Sequence, residues 1–330
     1  MARIACIGAG LVGAAWATVF SRAGHDVLVF DSGGEAAAHG GRLAIARTLE
    51  MLERNGVLTE TTETVLARIA FVPTLAEAVA GAVHVQESVK EDVEVKRAVF
   101  AEIARHAPGS AVLASSTSAI MGSRFLDVAA PERALVAHPV NPPSLIPLVE
   151  ICGTAATSPA TVQRTVSLFR GAGMKPVVLK REIEGFLLNR LQYTLVAEAM
   201  HLVAEGYCTA EDIDSVVKDG LAMRWSTIGP FEVAHLNSAQ GFAGFVHHLG
   251  GMMREMGRKA RTDYPWTEAL ADTIHEELAA RIALDRLPAR QGWRDENIVA
   301  TRRIQEEAAL RWQNRAEDPA PPAGSGAAPA

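Results

Sequence analysis

Arg3-Ile-Ala-Cys-Ile-Gly-Ala-Gly-Leu-Val-Gly-Ala-Ala-Trp-Ala17 sets the fold class: a short apolar run meets Gly8, Gly10 and Gly13 in G-x-G-x-x-G spacing, then continues as an Ala-rich helical pattern to about Gly24. Strand, tight turn and helix follow in that order. In such a unit the first glycine makes the turn, the second lets backbone N–H groups approach a pyrophosphate, and the third lets the helix pack on the strand, with the helix N-terminus favouring negative charge. A second apolar run, Asp26-Val-Leu-Val-Phe30, ends at Asp31, 18 residues past Gly13. A carboxylate there can accept both ribose hydroxyls of an adenosine and repels a 2′-phosphate, so NAD is expected in preference to NADP. The glycine spacing alone is a weak pattern. Set between a strand and a helix, with the acid closing the next strand, it becomes strong.

The pattern continues outward from this unit. Residues 35–55 and 60–69 read as crossover helices, 82–87 as a strand, and 92–106 as a helix with Val93, Val95, Val99, Phe100 and Ile103 on its apolar side. Val112-Leu-Ala114 leads into Ser115-Ser-Thr-Ser118, Ala134-Leu-Val-Ala137 leads into His138, and Pro176-Val-Val-Leu179 is the last sheet-like run. The expectation is an α/β, Rossmann-type dinucleotide-binding domain, whose ligands bind past the carboxyl ends of its strands. From Gly185 to Gln313 every long segment reads as helix, beginning with a stripe of Leu187, Leu188, Leu191 and Leu195 that encloses Asn189 and Arg190. Three regions are therefore expected: an NAD-binding domain over 1–182, an all-helical domain over 183–316, and a disordered tail over 317–330, rich in Pro, Ala and Gly.

The stretch with most chemistry is Ala137-His-Pro-Val-Asn-Pro-Pro-Ser-Leu-Ile-Pro-Leu-Val-Glu-Ile151, which joins an imidazole, His138, to a carboxylate, Glu150, across a segment stiffened by Pro139, Pro142, Pro143 and Pro147. A histidine alone in such a place more often sits satisfied in a buried structural loop; joined to the dinucleotide unit, it reads as half of a proton-transfer pair. Ser115 to Ser118 suits a turn or helix cap as well as a ligand. Glu91 and Lys96, taken by themselves, read as a solvated pair on a helix surface. Asn189 suits a surface position, a tie between helices or a polar group aimed into a cleft.

Composition narrows the classes further. The 330 residues are 48% hydrophobic and 21% charged, enough for two domains with full cores, and the net charge of −6 leaves no basic stripe for nucleic acid. Cys6, Cys152 and Cys208 are widely spaced and lack metal-ligand pairing, so reduced, mostly buried thiols in a cytoplasm are expected, and no metal. His247-His248 reads as a partly exposed helix feature. Residues 4–20 carry no charge and follow Arg3, as a secretory signal does, but removing them would delete the first strand. The run is also too short and too rich in Gly and Ala for a membrane span.

With these residues in place, the chain resembles the 3-hydroxyacyl-CoA dehydrogenase superfamily over nearly all of its ordered length, with most likeness to the lambda-crystallin/L-gulonate 3-dehydrogenase group. The resemblance rests on Gly8-Ala-Gly-Leu-Val-Gly13, Gln86-Glu-Ser-Val-Lys-Glu-Asp92, Ser115-Ser-Thr-Ser118, His138-Pro-Val-Asn-Pro142, Leu148-Val-Glu150, Gly185-Phe-Leu-Leu-Asn-Arg-Leu-Gln-Tyr193 and Gly229-Pro-Phe-Glu232. It implies a homodimer formed through the helical domain and a cleft between the two domains. It also implies roles: Leu11, Val12, Asp31, Glu91 and Lys96 contacting NAD, and Ser118, His138, Glu150 and Asn189 around the reacting carbon.

The chemistry implied is oxidation of the 3-hydroxyl of an L-3-hydroxy acid, with His138 as general base, Glu150 orienting it, and Ser118 and Asn189 holding the oxygen. The departure that bears on substrate is Gly220-Leu-Ala-Met-Arg-Trp-Ser-Thr-Ile-Gly-Pro230. CoA-ester enzymes of the superfamily have a shorter, uncharged turn here, whereas Arg224 beside Trp225 is shared with the gulonate and carnitine dehydrogenase groups. A guanidinium there can grip a free carboxylate bidentately or pair with a structural acid. The expected substrate is L-gulonate or a related free 3-hydroxycarboxylate, with 3-hydroxybutyryl-CoA and carnitine as alternatives. An NAD-binding structural protein like the crystallins is the reading from another class; the presence of Ser118, His138, Glu150 and Asn189 favours turnover.

Overall fold

Successive side chains of β1 (Arg3–Ile7) face opposite ways, and both ways are apolar: Ile4 and Cys6 enter one buried cluster, Ala5 and Ile7 another. A strand buried on both faces needs helices above and below it. The computed structural model describes residues 1–127 and 130–316, so the tail expected over 317–330 lies outside the described residues. The chain divides into two compact units, Met1–Val196 and a second beginning at Ala197.

In the first unit, among the described residues, eight strands form one sheet in the order β3-β2-β1-β4-β5-β6-β7-β8. They are β1, β2 (Asp26–Phe30), β3 (Ile69–Phe71), β4 (His84–Glu87), β5 (Val112–Ser115), β6 (Ala134–Pro139), β7 (Leu148–Gly153) and β8 (Lys175–Val178). Every pairing is parallel except β6 with β7. The strand order reverses between β1 and β4, the switch point at which open α/β sheets bind ligands. Helices α1 (Leu11–Arg22), α2 (Gly34–Arg54), α3 (Thr62–Leu66), α4 (Leu75–Val79), α5 (Val93–His106), α6 (Pro159–Gly171) and α7 (Leu188–Ala204) complete the series, the unit ending within α7.

The two faces of the sheet have different cores. One carries Trp16, Phe20 and Phe169, with ring centroids 5.1–5.7 Å apart. The other carries Phe100, Phe125 and Phe186. Each of these six side chains is fully buried, which stabilises the fold by about 1.5–3 kcal/mol apiece relative to exposure.

Several elements differ from the sequence expectation, each for a physical reason. The helix expected over 60–69 is only Thr62–Leu66, capped by Thr61, because Ile69 and Phe71 pair in register with Val27 and Val29 as an edge strand. Tertiary pairing overrides the local helical period there. On α5 the buried stripe is Lys96, Phe100 and Ile103, with Val93 and Val99 partly buried, and Val95 falls off it, 38% exposed. Between His138 and Glu150 the proline-stiffened connection covers residues 140–147, and what the sequence did not show is β7 and its antiparallel pairing with β6, which brings the two side chains together; Pro139 ends β6 and the other prolines lie in the connection.

The second unit is helical: α8 (Ala210–Ser215), a π-helical turn (Val216–Leu221), α9 (Ala222–Trp225), α10 (Pro230–Leu236), α11 (Gly241–Lys259), α12 (Glu268–Arg281) and α13 (Leu287–Ala316). Thr209 and Asp212 form a reciprocal capping box that starts α8. Among the described residues no helix is long and apolar enough to cross a membrane.

Candidate active site

The glycine turn is built to steric limits. Gly8 has φ +103°, and a Cβ on it would lie 2.5 Å from the Ser88 carbonyl oxygen; a Cβ on Gly13 would lie 1.9 Å from the Gly8 carbonyl oxygen. Only glycine fits at either position. Around Gly10 a Cβ would meet nothing within 4 Å, which is the open approach a pyrophosphate needs. Helix α1 starts at Leu11 without a side-chain cap, so the backbone N–H groups of its first turn, including those of Leu11 and Val12, face that approach. Asp31 directly follows β2, with both oxygens on backbone donors, Oδ2 on Ala9 N (2.7 Å) and Oδ1 on Gly33 N (2.8 Å). Each carboxylate oxygen keeps a lone pair for a ribose hydroxyl. These residues fit NAD.

Farther along the strand ends lies a charged assembly. His138 and Glu150 are register partners on β6 and β7, and Nδ1 of His138 lies 2.9 Å from Glu150 Oε2, with both side chains nearly fully buried. A carboxylate on Nδ1 fixes the tautomer with the proton on that nitrogen, leaving Nε2 as the acceptor. Glu150 Oε1 accepts from the N–H groups of Leu187 (2.9 Å) and Leu188 (3.2 Å), so the start of α7 holds the carboxylate from behind. The turn into α7 is strained: Gly185 and Phe186 have φ +72° and +51°. Phe186 tolerates this left-handed conformation because its ring is fully buried against the His138 imidazole, centroids 5.1 Å apart.

The same turn gathers the remaining candidates. Asn189 Nδ2 donates to the Ser118 carbonyl oxygen (2.7 Å), and Gly185 N donates to the Ala119 carbonyl oxygen (3.3 Å). Glu91 Oε1 accepts from the Thr117 hydroxyl (2.6 Å), Ser118 N (2.8 Å), Ala119 N (3.1 Å) and the Ser118 hydroxyl (3.2 Å). Burial acts to raise the Glu91 pKa, but the Thr117 hydroxyl, the Lys96 ammonium and the two N–H groups outweigh it and hold the carboxyl below its ordinary value.

Lys96 corrects the expectation of a solvated pair. It is 1% exposed, with Nζ 2.9 Å from the wholly buried Glu87 and 3.4 Å from Glu91. It points inward because the α5 stripe that contains Phe100 and Ile103 also contains position 96. Glu87, which sequence reasoning left without a role, also accepts from Val89 N and the Ser115 hydroxyl. Its signal was available: it closes β4 as Asp31 follows β2. Phe186 was missed as well. Its only mark is the glycine before it.

Arg224 lies in the second unit, exposed on α9 directly after the π-helical turn, and among the described residues of that unit no carboxylate pairs with it. Cys6 and Cys152 are buried and free, and burial raises both thiols, Cys152 to about 11, so neither is a nucleophile at neutral pH.

Comparison with known proteins gives a consistent picture. Residues 3–183 match the family model for the 3-hydroxyacyl-CoA dehydrogenase NAD-binding domain, and residues 185–280 that for the 3-hydroxyacyl-CoA dehydrogenase C-terminal domain. A lambda-crystallin homolog of Bos taurus is 40% identical over 297 residues, covering 88% of this chain and 92% of that protein. An L-carnitine dehydrogenase of Streptomyces griseus is 35% identical over 302 residues, covering 91% and 86%. Among solved structures, an NAD-dependent 5-formyl-3-hydroxy-2-methylpyridine 4-carboxylic acid 5-dehydrogenase superposes with a TM-score of 0.80 at 26% identity, covering 93% of this chain and 99% of that one.

Proposed function

The chain belongs to the 3-hydroxyacyl-CoA dehydrogenase family, an NAD-dependent oxidoreductase acting on CH–OH groups, and from that premise we propose that it oxidises the 3-hydroxyl of a free L-3-hydroxy acid, L-gulonate or a related polar 3-hydroxycarboxylate. The observation that carries the reading is the buried His138–Glu150 pair pinned by the start of α7. NAD, when bound, supplies the hydride acceptor. The chain's own residues manage the proton. His138 Nε2 takes it from the substrate hydroxyl, and Glu150 keeps the ring oriented and stabilises the charge gained at the imidazole. Ser118 Oγ and the second N–H of Asn189 Nδ2 hold the substrate oxygen as it changes from hydroxyl to carbonyl. Gly8, Gly10, Leu11, Val12 and Gly13 receive the pyrophosphate, Asp31 the adenosine ribose, and Glu91 and Lys96 support the nicotinamide end.

Arg224 grips the substrate carboxylate. This is supported by the lack of a carboxylate partner among the described residues of its own unit and by the substrates named for two relatives, L-carnitine and a pyridine 4-carboxylic acid, both free carboxylates. L-carnitine is the second reading, on the strength of the relative that bears its name. The functional division falls at 182/183. The protein acts in the cytoplasm as a homodimer through the helical unit, where α11 buries none of its residues and presents Phe242, Val246, Leu249, Met253 and Met256 as an exposed stripe.

Arg224→Met tests the substrate assignment. It lowers kcat/KM for free 3-hydroxy acids by about 1.5–3 kcal/mol, the range for hydrogen bonds to charged groups, and leaves NAD affinity and activity on neutral esters of the same acids nearly unchanged. Equal losses on acids and esters would return Arg224 to a structural role.

A further inference from the structure

Besides the charged assembly, the strand ends carry a second polar network, uncharged, that the proposed mechanism does not use. Ser116 Oγ lies 3.0 Å from Trp16 Nε1, 2.8 Å from Gln86 Nε2 and 2.9 Å from Ser88 Oγ. Gln86 Nε2 also lies 3.4 Å from the Ala137 carbonyl oxygen, and Gln86 Oε1 lies 3.0 Å from His84 Nε2.

The direction of every bond in this network is forced. Trp16 Nε1 is only a donor and the Ala137 carbonyl only an acceptor. The Gln86 amide must therefore turn its NH₂ toward Ala137 and Ser116, because the flipped amide would set its oxygen against the carbonyl. Ser116 Oγ then accepts from both Trp16 and Gln86, which uses its two lone pairs and leaves its one proton for Ser88. At the other end Gln86 Oε1 is an acceptor, so His84 carries its proton on Nε2. The orphaned atom agrees: buried His84 Nδ1 has no partner, and an unused lone pair there costs less than an unsatisfied N–H. Burial, against the Gln86 hydrogen bond and with the nearby His25 acting in the same direction as burial, lowers the His84 pKa to about 4, so the ring is neutral at physiological pH.

The network delivers its last hydrogen bond to Ser88, whose hydroxyl accepts from Ser116 and so has its own proton left to donate. Ser88 directly follows β4 and bonds through its N–H to Ile7 at the end of β1, which places it at the strand-order reversal. It forms one wall of the glycine turn: the Cβ that Gly8 lacks would strike its carbonyl oxygen, and the one that Gly13 lacks would lie 3.6 Å from its Cβ.

We propose that Ser88 is a cofactor-binding residue, its hydroxyl proton directed at an acceptor oxygen of the dinucleotide held at the Gly8–Gly13 turn, with Ser116, Gln86 and His84 as positioning residues that fix it as a donor. The assignment rests on NAD binding alone and is independent of the substrate reading above. Two measurements test it. Titration calorimetry with NAD on the folded enzyme without substrate gives a Kd about 3- to 10-fold weaker for Ser88→Ala than for wild type, the effect of one hydrogen bond. An unchanged Kd overturns the proposal. Nitrogen-15 NMR of wild-type protein labelled at histidine shows His84 neutral and protonated on Nε2 at pH 7; protonation on Nδ1 would reverse the chain of donors and overturn it equally, with no variant required.

Discussion

Gln86 and Glu87 are neighbours on β4, yet they serve opposite faces of the sheet and opposite kinds of polar network. Gln86 turns to the face of Trp16, Phe20 and Phe169 and joins an uncharged chain that ends at Ser88. Glu87 turns to the face of Phe100, Phe125 and Phe186 and joins Lys96 and Glu91, ending on Ser118, with His138 and Glu150 on that same face. Strand alternation puts the glycine turn and the His138–Glu150 pair under different electrostatics within one sheet. The neutral network fixes direction and is indifferent to pH near neutrality. The charged one fixes position, and each of its members is costly to leave unpaired.

The contrast predicts graded responses. His138→Asn removes the proposed base from the charged face: kcat falls by something like 10²–10⁴-fold while NAD affinity, read by calorimetry, holds. Near-normal turnover in the folded variant would remove His138 from the role of base. Glu87→Gln strikes the same face at its root. It leaves Lys96 without its wholly buried partner and costs about 3–5 kcal/mol in urea unfolding, whereas a loss under about 1 kcal/mol would mean that Glu91 alone suffices to hold the ammonium.

On the neutral face the response appears in pH dependence. The folded-state pKa of His84 is about 4 against 6.5 for the free side chain, so the unfolded chain binds the proton first as pH falls. The stability linked to His84 is fully present above pH 6.5 and declines between 6.5 and about 4, by about 3 kcal/mol in all. His84→Gln lacks this loss, and its stability deficit relative to wild type shrinks over that interval. Parallel curves for the two proteins would show that burial does not suppress charging of this ring.

What the sequence made legible were features carried by local spacing. Gly8, Gly10 and Gly13 announce their turn because sterics demand glycine at fixed offsets, and Asp31 is found by counting along the next strand. His138 and Glu150 could be paired in sequence because a short connection joins them, and the strand leading into His138 was legible, whereas β7 and its antiparallel pairing were not. The edge strand β3 was hidden because three residues carry no periodicity, and it exists through its pairing with β2. Lys96 reads as a surface cation until Glu87 and Glu91 are seen to converge on it. The direction of the Ser88 hydroxyl lies beyond sequence reading altogether, since it depends on Trp16 meeting a serine 100 residues away.

Initial-rate measurement of NADH formation by the wild-type enzyme decides whether it oxidises a free L-3-hydroxy acid with NAD. L-gulonate, L-carnitine and 3-hydroxybutyryl-CoA are compared under one set of conditions. A free acid, L-gulonate foremost, is expected to give a higher kcat/KM than the thioester. A preference for 3-hydroxybutyryl-CoA, or no NADH from either free acid, would make the CoA ester the substrate class instead.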